Sequence, residues 1–218
     1  VQAASETKVY DGLPLVADSY EVLAGEMPTN HTLNCEVKGE ILNAGTTENV
    51  ISTVITNGEG DDVSFNFDIT QLNGVLRIDK CPLSIRSASE TREYDGKVVK
   101  NDYYEVTDGK MPDGHTLVCE VTGERTDVGV TVNALSVSIW NGRLSDVSFN
   151  FDIHKMEGEL VVLPRPITIT SKSYDKVYDG LVLEGALEDC YISSEKSVVE
   201  GQTWSVDWLV DKRWYGGQ

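Results

Sequence analysis

Apolar and polar residues alternate through most of the readable segments of this chain. Leu33, Cys35 and Val37 fall on one face of an extended segment, and Leu117, Cys119 and Val121 do the same. Leu135, Val137 and Ile139 follow the same period within a strand expected over Asn133 to Trp140. Leu83 to Ser87, Tyr103 to Val106, His115 to Thr122 and Glu159 to Val162 also read as strands. Turn-forming residues separate them. Asp95-Gly96 supplies a left-handed position cheaply, Asp108 to Gly114 is a Gly- and Pro-bearing loop, and Asn141-Gly142 is a hairpin signal. No stretch carries the period of a long amphipathic helix. The expected fold class is therefore mainly β.

One octet, Asp-Val-Ser-Phe-Asn-Phe-Asp-Ile, occurs at Asp62 to Ile69 and again at Asp146 to Ile153, 84 residues later. Other features keep that offset. Tyr10-Asp11-Gly12 recurs as Tyr94-Asp95-Gly96 and as Tyr178-Asp179-Gly180, Met27-Pro28 as Met111-Pro112, and His31-Thr32-Leu33 as His115-Thr116-Leu117. A shared offset across dispersed, dissimilar residues indicates tandem duplication. It divides the chain into 1–79, 80–163 and an incomplete third copy, 164–218. In that third copy Gln202-Thr203 stands where the others have His-Thr, and no counterpart of Asn49 or of the octet follows. Truncation of a longer chain is the expected reason.

The period exceeds the roughly 20–50 residues of solenoid units and falls within the roughly 50–250 of independent domains. Small independent domains, strung as beads, are expected. Junctions running strand to strand at Ile78 to Leu83 and Val162 to Ile167 would join them. The octet itself reads as an extended segment or one short turn of helix. Its phenylalanines, Phe65, Phe67, Phe149 and Phe151, are expected in the core. Asn66 and Asn150 are expected to satisfy a backbone group at a bend.

Charge narrows the partners. Eighteen basic residues against 36 acidic ones give a net charge of −18, which repels anions and offers no clustered basic face for nucleic acid. No apolar run approaches the roughly 18 residues that span a bilayer. Cys35, Cys81, Cys119 and Cys190 fit no zinc spacing. Cys35 and Cys119 lie on apolar strand faces and are read as small buried hydrophobes, with a disulfide as the alternative. His31, His115 and His154 stand in no nucleophile context, so neither catalysis nor a cofactor is expected. Asn57 to Asp62 holds oxygen donors for calcium, but its counterpart carries Arg143, and a solvated turn is the simpler reading. Lys80, Lys100 and Lys155 share no apolar context of the kind an internal amide crosslink needs.

Three tryptophans, Trp204, Trp208 and Trp214, crowd the third copy. Trp204 aligns with Leu33 and Leu117, and Trp208 with Val37 and Val121. Core packing is expected of them, and stacking on a sugar ring is the alternative that makes them candidate ligand-binding residues.

Taken together, Tyr-Asp-Gly, Gly114-His115-Thr116, Thr126 to Gly129, Asn133, the octet and Pro164 to Thr170 resemble the YDG/MBG-type tandem repeats of large, mostly Gram-positive bacterial surface adhesins. The resemblance implies small immunoglobulin-like or β-grasp-like domains in a secreted, cell-surface, non-enzymatic array acting as a stalk or spacer. The alternative is that the repeats themselves bind a host glycan, mucin or matrix protein, with the loops Val16 to Ser19 and Lys100 to Tyr103 as the variable places. A monomer is expected, with strand exchange through the incomplete third copy as the alternative.

Overall fold

The computed structural model describes residues 1–181, 183, 189–194 and 196–205. They are mainly β, with two 3-10 turns, Ser64–Asn66 and Ser148–Asn150, inside the two octets. Two compact units form. The first takes Val1–Ala88, Asp102–Thr122 and Asn133–Gly158. The second takes Ser89–Asn101, Gly123–Val132 and the chain from Glu159. The 84-residue period does not set these boundaries, because residues of the second copy enter both units.

In the first unit a four-stranded sheet runs Glu6–Val9, Gly74–Asp79, Gly45–Thr56, Thr32–Lys38. Gly45–Thr56 is long enough to use both halves. Gly45 to Asn49 pairs with Gly74 to Ile78, and Val50 to Thr56 pairs with Thr32 to Lys38. His115–Val121 pairs antiparallel with Leu135–Asn141. A third sheet lays Cys81–Ser87 between Phe151–Met156, in parallel, and Tyr104–Asp108, antiparallel. In the second unit Gly158–Leu163 lies between Gly129–Asn133 and Glu90–Glu93, and Ile169–Ser171 pairs with Cys190–Ile192. The parallel pairs, including Glu6–Val9 with Gly74–Asp79, depart from the two antiparallel sheets of an immunoglobulin-like sandwich.

The first unit has one main core, and both copies build it. Tyr10, Leu15, Leu76 and Ile78 of copy one pack with Cys81, Leu83, Ile85, Leu135, Ile139, Val147 and Phe151 of copy two. Separate beads are therefore not what forms here. A bead of this size buries too little apolar surface to be generously stable by itself, and a shared core enlarges it. The smaller core of the second unit joins Val99, Leu160 and Val162, with Tyr94 against it.

The sequence-derived strands fall within a few residues of those observed. The strands Glu6–Val9 and Glu90–Glu93 were not foreseen, since neither alternates. The first junction does run strand to strand, with Lys80 alone between Gly74–Asp79 and Cys81–Ser87. The second does not: residues 164–168 carry no strand, and Pro164 and Pro166 remove the ladder donors there. Asn49 closes the first sheet from within. Fully buried, it donates through Nδ2 to the carbonyls of Ala4 at 2.9 Å and Ala17 at 2.8 Å.

Gly74 marks the tightest backbone approach in that region. A Cβ there would stand 2.0 Å from the carbonyl oxygen of Ala4, and one at Gly158 would stand 2.4 Å from that of Ala88. Backbone cannot swing aside as a side-chain tip can. Gly74→Ala should therefore cost about 1–3 kcal/mol or more, as overpacking does. Urea unfolding of the two proteins measures it, and an unchanged midpoint contradicts the packing described.

Candidate functional site

Three Tyr-Asp-Gly turns share one local geometry. Asp11 Oδ1 accepts from the Leu13 N–H at 2.9 Å and pairs with Lys8 Nζ at 2.7 Å. Asp95 Oδ1 accepts from the Lys97 N–H at 3.0 Å and lies 3.3 Å from Arg92. Asp179 Oδ1 accepts from the Leu181 N–H at 2.9 Å and lies 2.8 Å from Lys176. Such a side-chain turn is local and needs no partner. Gly12, Gly96 and Gly180 follow at φ of 81°, 77° and 78°, where a Cβ is disfavoured. Slight burial pushes the Asp11 carboxyl up, but Lys8 and the Leu13 N–H outweigh it and hold it below the usual carboxylate value. Hydrogen bonds from Lys176 and the Leu181 N–H lower Asp179 likewise.

What differs among the three is what covers the tyrosine. Tyr10 is 4% exposed, and copy two buries it. Its ring meets His115 edge-on at 5.5 Å and Phe151 at 5.6 Å, while His115 and Phe151 lie 6.0 Å apart. Such edge-to-face contacts add about 0.5–1.5 kcal/mol each beyond their area. The Tyr10 hydroxyl lies 3.0 Å from His115 Nε2. His115 Nδ1 lies 3.1 Å from the Asp113 carbonyl, which only accepts, so Nδ1 is the donor there, and the Nδ1–H tautomer leaves Nε2 to accept from Tyr10. Burial raises the Tyr10 hydroxyl above its ordinary pKa, against a lowering hydrogen bond with Asn150. A Cβ at Gly12 would come within 2.6 Å of the His115 ring, so the turn seats closely only as glycine.

Asn150 forms the other half of the contact. It is 0% exposed. Its Oδ1 accepts from the Ala44 N–H at 2.7 Å and its Nδ2 donates to Asn43 Oδ1 at 3.1 Å. The octet of copy two thus grips copy one through a side chain presented by its 3-10 turn. Asn150 does satisfy a backbone group, as expected, but one belonging to the other copy.

In the second unit the same relation returns with a different partner. Gln202, at the histidine position, donates from Nε2 to the Tyr94 hydroxyl at 2.6 Å. A Cβ at Gly96 would meet Val199 at 2.8 Å. Lys196 pairs with Glu93. Tyr178, by contrast, is 85% exposed, and no described residue stands within 4 Å of a Cβ on Gly180.

The phenylalanine expectation needs correction. Phe151 is 4% exposed and Phe67 half-buried, but Phe65 and Phe149 are 82% and 55% exposed. The 3-10 turn is the reason. It breaks the alternation, so the first phenylalanine of each octet turns to solvent, while Phe151 enters the core and Phe67 stays half-buried. Trp204 is half-buried, while Trp208 and Trp214 lie outside the described residues. In the calcium-like loop the donor oxygens are already engaged. Asn57 Oδ1 accepts from the N–H groups of Glu59 and Asp61, and Asn141 repeats this with Arg143 and Ser145. Asp62 and Asp146 are held below the usual carboxylate value by hydrogen bonds from Ser64 and Ser148. Cys35, Cys81, Cys119 and Cys190 are free thiols. Burial pushes Cys81 up, and Cys119 too, the latter offset by Lys155. Among the described residues no helix is long and apolar enough to cross a membrane. Val16 and Tyr103, in the two variable loops, are exposed.

The chain matches no protein-family model, no curated protein and no solved structure.

The octets provide a controlled comparison, since identical residues meet different surroundings. Asn150→Ala should destabilise by about 1–3 kcal/mol, because the buried Ala44 N–H loses its acceptor. Asn66→Ala, at an exposed position, should stay within about 0.5 kcal/mol. Chemical denaturation of both variants reads the difference, and equal costs contradict a docking role for the octet.

Proposed function

We propose that this chain is a set of non-enzymatic, extracellular repeat modules that form a stalk or spacer of a bacterial surface adhesin. The observation that carries the reading is direct docking between successive copies. Tyr10 of copy one is buried against His115 of copy two, and the half-buried Tyr94 of copy two meets Gln202 of copy three. Lys80 alone separates the last strand of copy one from the first of copy two. A short junction and a shared core both limit bending, and resistance to bending is what a spacer requires. The surface charge of −18 adds solubility without marking a ligand. On this reading the duplicated sequence is duplicated architecture: each copy carries a turn to insert and a socket to receive one, so length grows by repetition. The 84-residue copies are small β modules that dock onto one another, and the family resemblance of the Tyr-Asp-Gly and octet motifs supplies the cell-surface setting.

A second reading, in which the repeats bind a host glycan, mucin or matrix protein, draws on the exposed Phe65 and Phe149. Apolar rings left in solvent at the same place in two copies suit an apolar or stacking contact.

A saturation binding screen of the full chain against mucins, matrix proteins and a glycan panel separates the two. The stalk reading expects no saturable binding by wild type. Saturable binding that Phe65→Ala and Phe149→Ala together weaken tenfold or more would overturn it in favour of the second.

A further inference from the structure

Gly129–Asn133 is an edge strand. Gly158–Leu163 lies on one side of it, and among the described residues no strand pairs with the other. Its counterpart in copy one, Gly45 to Asn49, also pairs on one side only, with Gly74 to Ile78. The open edge is thus a property of the module. A bare strand edge is a template for another chain, and a β-branched apolar one most of all. Val128, Val130 and Val132 are exposed along it. Copy one has Ala44, Thr46 and Glu48 at these positions, and an exposed charge such as Glu48 is an ordinary protection for an edge.

The edge in copy two lacks that carboxylate but meets a guanidinium. Arg125 donates from Nη2 to the Val128 carbonyl at 2.6 Å, and from Nη1 to the Val130 carbonyl at 3.2 Å and to Thr131 Oγ1 at 2.9 Å. Alternate residues of a strand turn their backbone groups to opposite edges. Carbonyls on the paired edge go to N–H groups of Gly158–Leu163. Those of Val128 and Val130 go to Arg125, so they lie on the free edge. The Arg125 main chain is itself pinned to that of Val99, by bonds of 2.7 and 3.1 Å. Gly129 lets the side chain cross, since a Cβ there would stand 2.0 Å from the guanidinium. The adjacent Glu124 pairs with Lys100, which leaves the arginine to the carbonyls. In copy one Ile41 holds this place, bridging Leu15 as Arg125 bridges Val99. The copies therefore differ as a set: isoleucine beside a polar strand in one, arginine beside a valine strand in the other.

We infer that Arg125 is an edge guard, and that the surface it closes fits the same strand of a second copy of this chain. With the guanidinium gone, Gly129–Asn133 pairs antiparallel with itself about a two-fold axis at Thr131. Val130 of each copy then lies opposite Val132 of the other, and the Val130 carbonyl that Arg125 held accepts the Val132 N–H. The contact is isologous and closes at two copies. It stands apart from the stalk reading, since it concerns one edge of one module.

Sedimentation velocity tests this at about 10 µM to 1 mM, where unpaired strand edges associate. The samples are wild type, Arg125→Ile, Arg125→Ala, and the triple variant Arg125→Ile with Val130→Thr and Val132→Glu. All but the alanine change install the residue that copy one carries at the same place, and circular dichroism verifies the fold. Wild type is expected to stay monomeric. Both single variants are expected to dimerise at least tenfold more tightly, with amide hydrogen exchange slowed at Val130 and Val132. The triple variant is expected to return to monomer. Folded single variants that stay monomeric overturn the inference. So does a wild type that dimerises as tightly as they do, or a triple variant that associates as the single ones do.

Discussion

The burial of Tyr10 beneath the second copy is the contact on which the rest of the first unit depends. It brings one aromatic ring, one buried hydroxyl and a turn with a positive-φ glycine against His115 and Phe151. Around it Leu15, Leu76 and Ile78 meet Leu83, Ile85, Leu135 and Ile139. Remove the tyrosine and the two sets face a cavity. Keep it, and residues of both copies fill one core. Asn150 complements the ring by pairing the buried Ala44 N–H, so the polar cost of that approach is met within the same interface.

This arrangement gives the duplicated octet a meaning that a purely internal scaffold lacks. Its eight residues are identical in both copies, yet Asn150 is buried and Asn66 is not. The difference lies in what packs against each: Asn43 and Ala44 meet Asn150. The second octet is thus part scaffold, through Phe151, and part docking surface, through Asn150. The change of histidine to Gln202 in the third copy fits the same division: the position needs a polar partner for a tyrosine hydroxyl, and glutamine supplies one.

Much of the local structure was legible in the sequence. Alternation located the strand through Leu117, Cys119 and Val121 and the one through Leu135, Val137 and Ile139, because each has a buried face and a wet face. Asp-Gly located the turns. The two-sided nature of the octet was less visible, since Val147, Phe149 and Phe151 alternate as a strand would, and only the 3-10 turn at Ser148–Asn150 sends Phe149 outward. Glu6–Val9 and Glu90–Glu93 were missed because parallel pairing with Gly74–Asp79 and Gly158–Leu163 is a long-range property that leaves no local period. The docking site was hardest to read. Tyr10 and His115 are 105 positions apart, and nothing near either names the other. The one available signal was Tyr-Asp-Gly kept in all three copies while the histidine was not, which points to a tyrosine with a structural partner.

The most direct test of the account is a double-mutant cycle on Tyr10 and His115, using Tyr10→Phe, His115→Ala and the combined variant in urea unfolding. Tyr10→Phe removes the hydroxyl and little else. If the hydroxyl is held by His115 Nε2 across the two copies, the pair will show a coupling of about 0.5–1.5 kcal/mol, the net worth of such a hydrogen bond. Additive costs, with no coupling, would mean the copies merely adjoin and would contradict docking through the tyrosine.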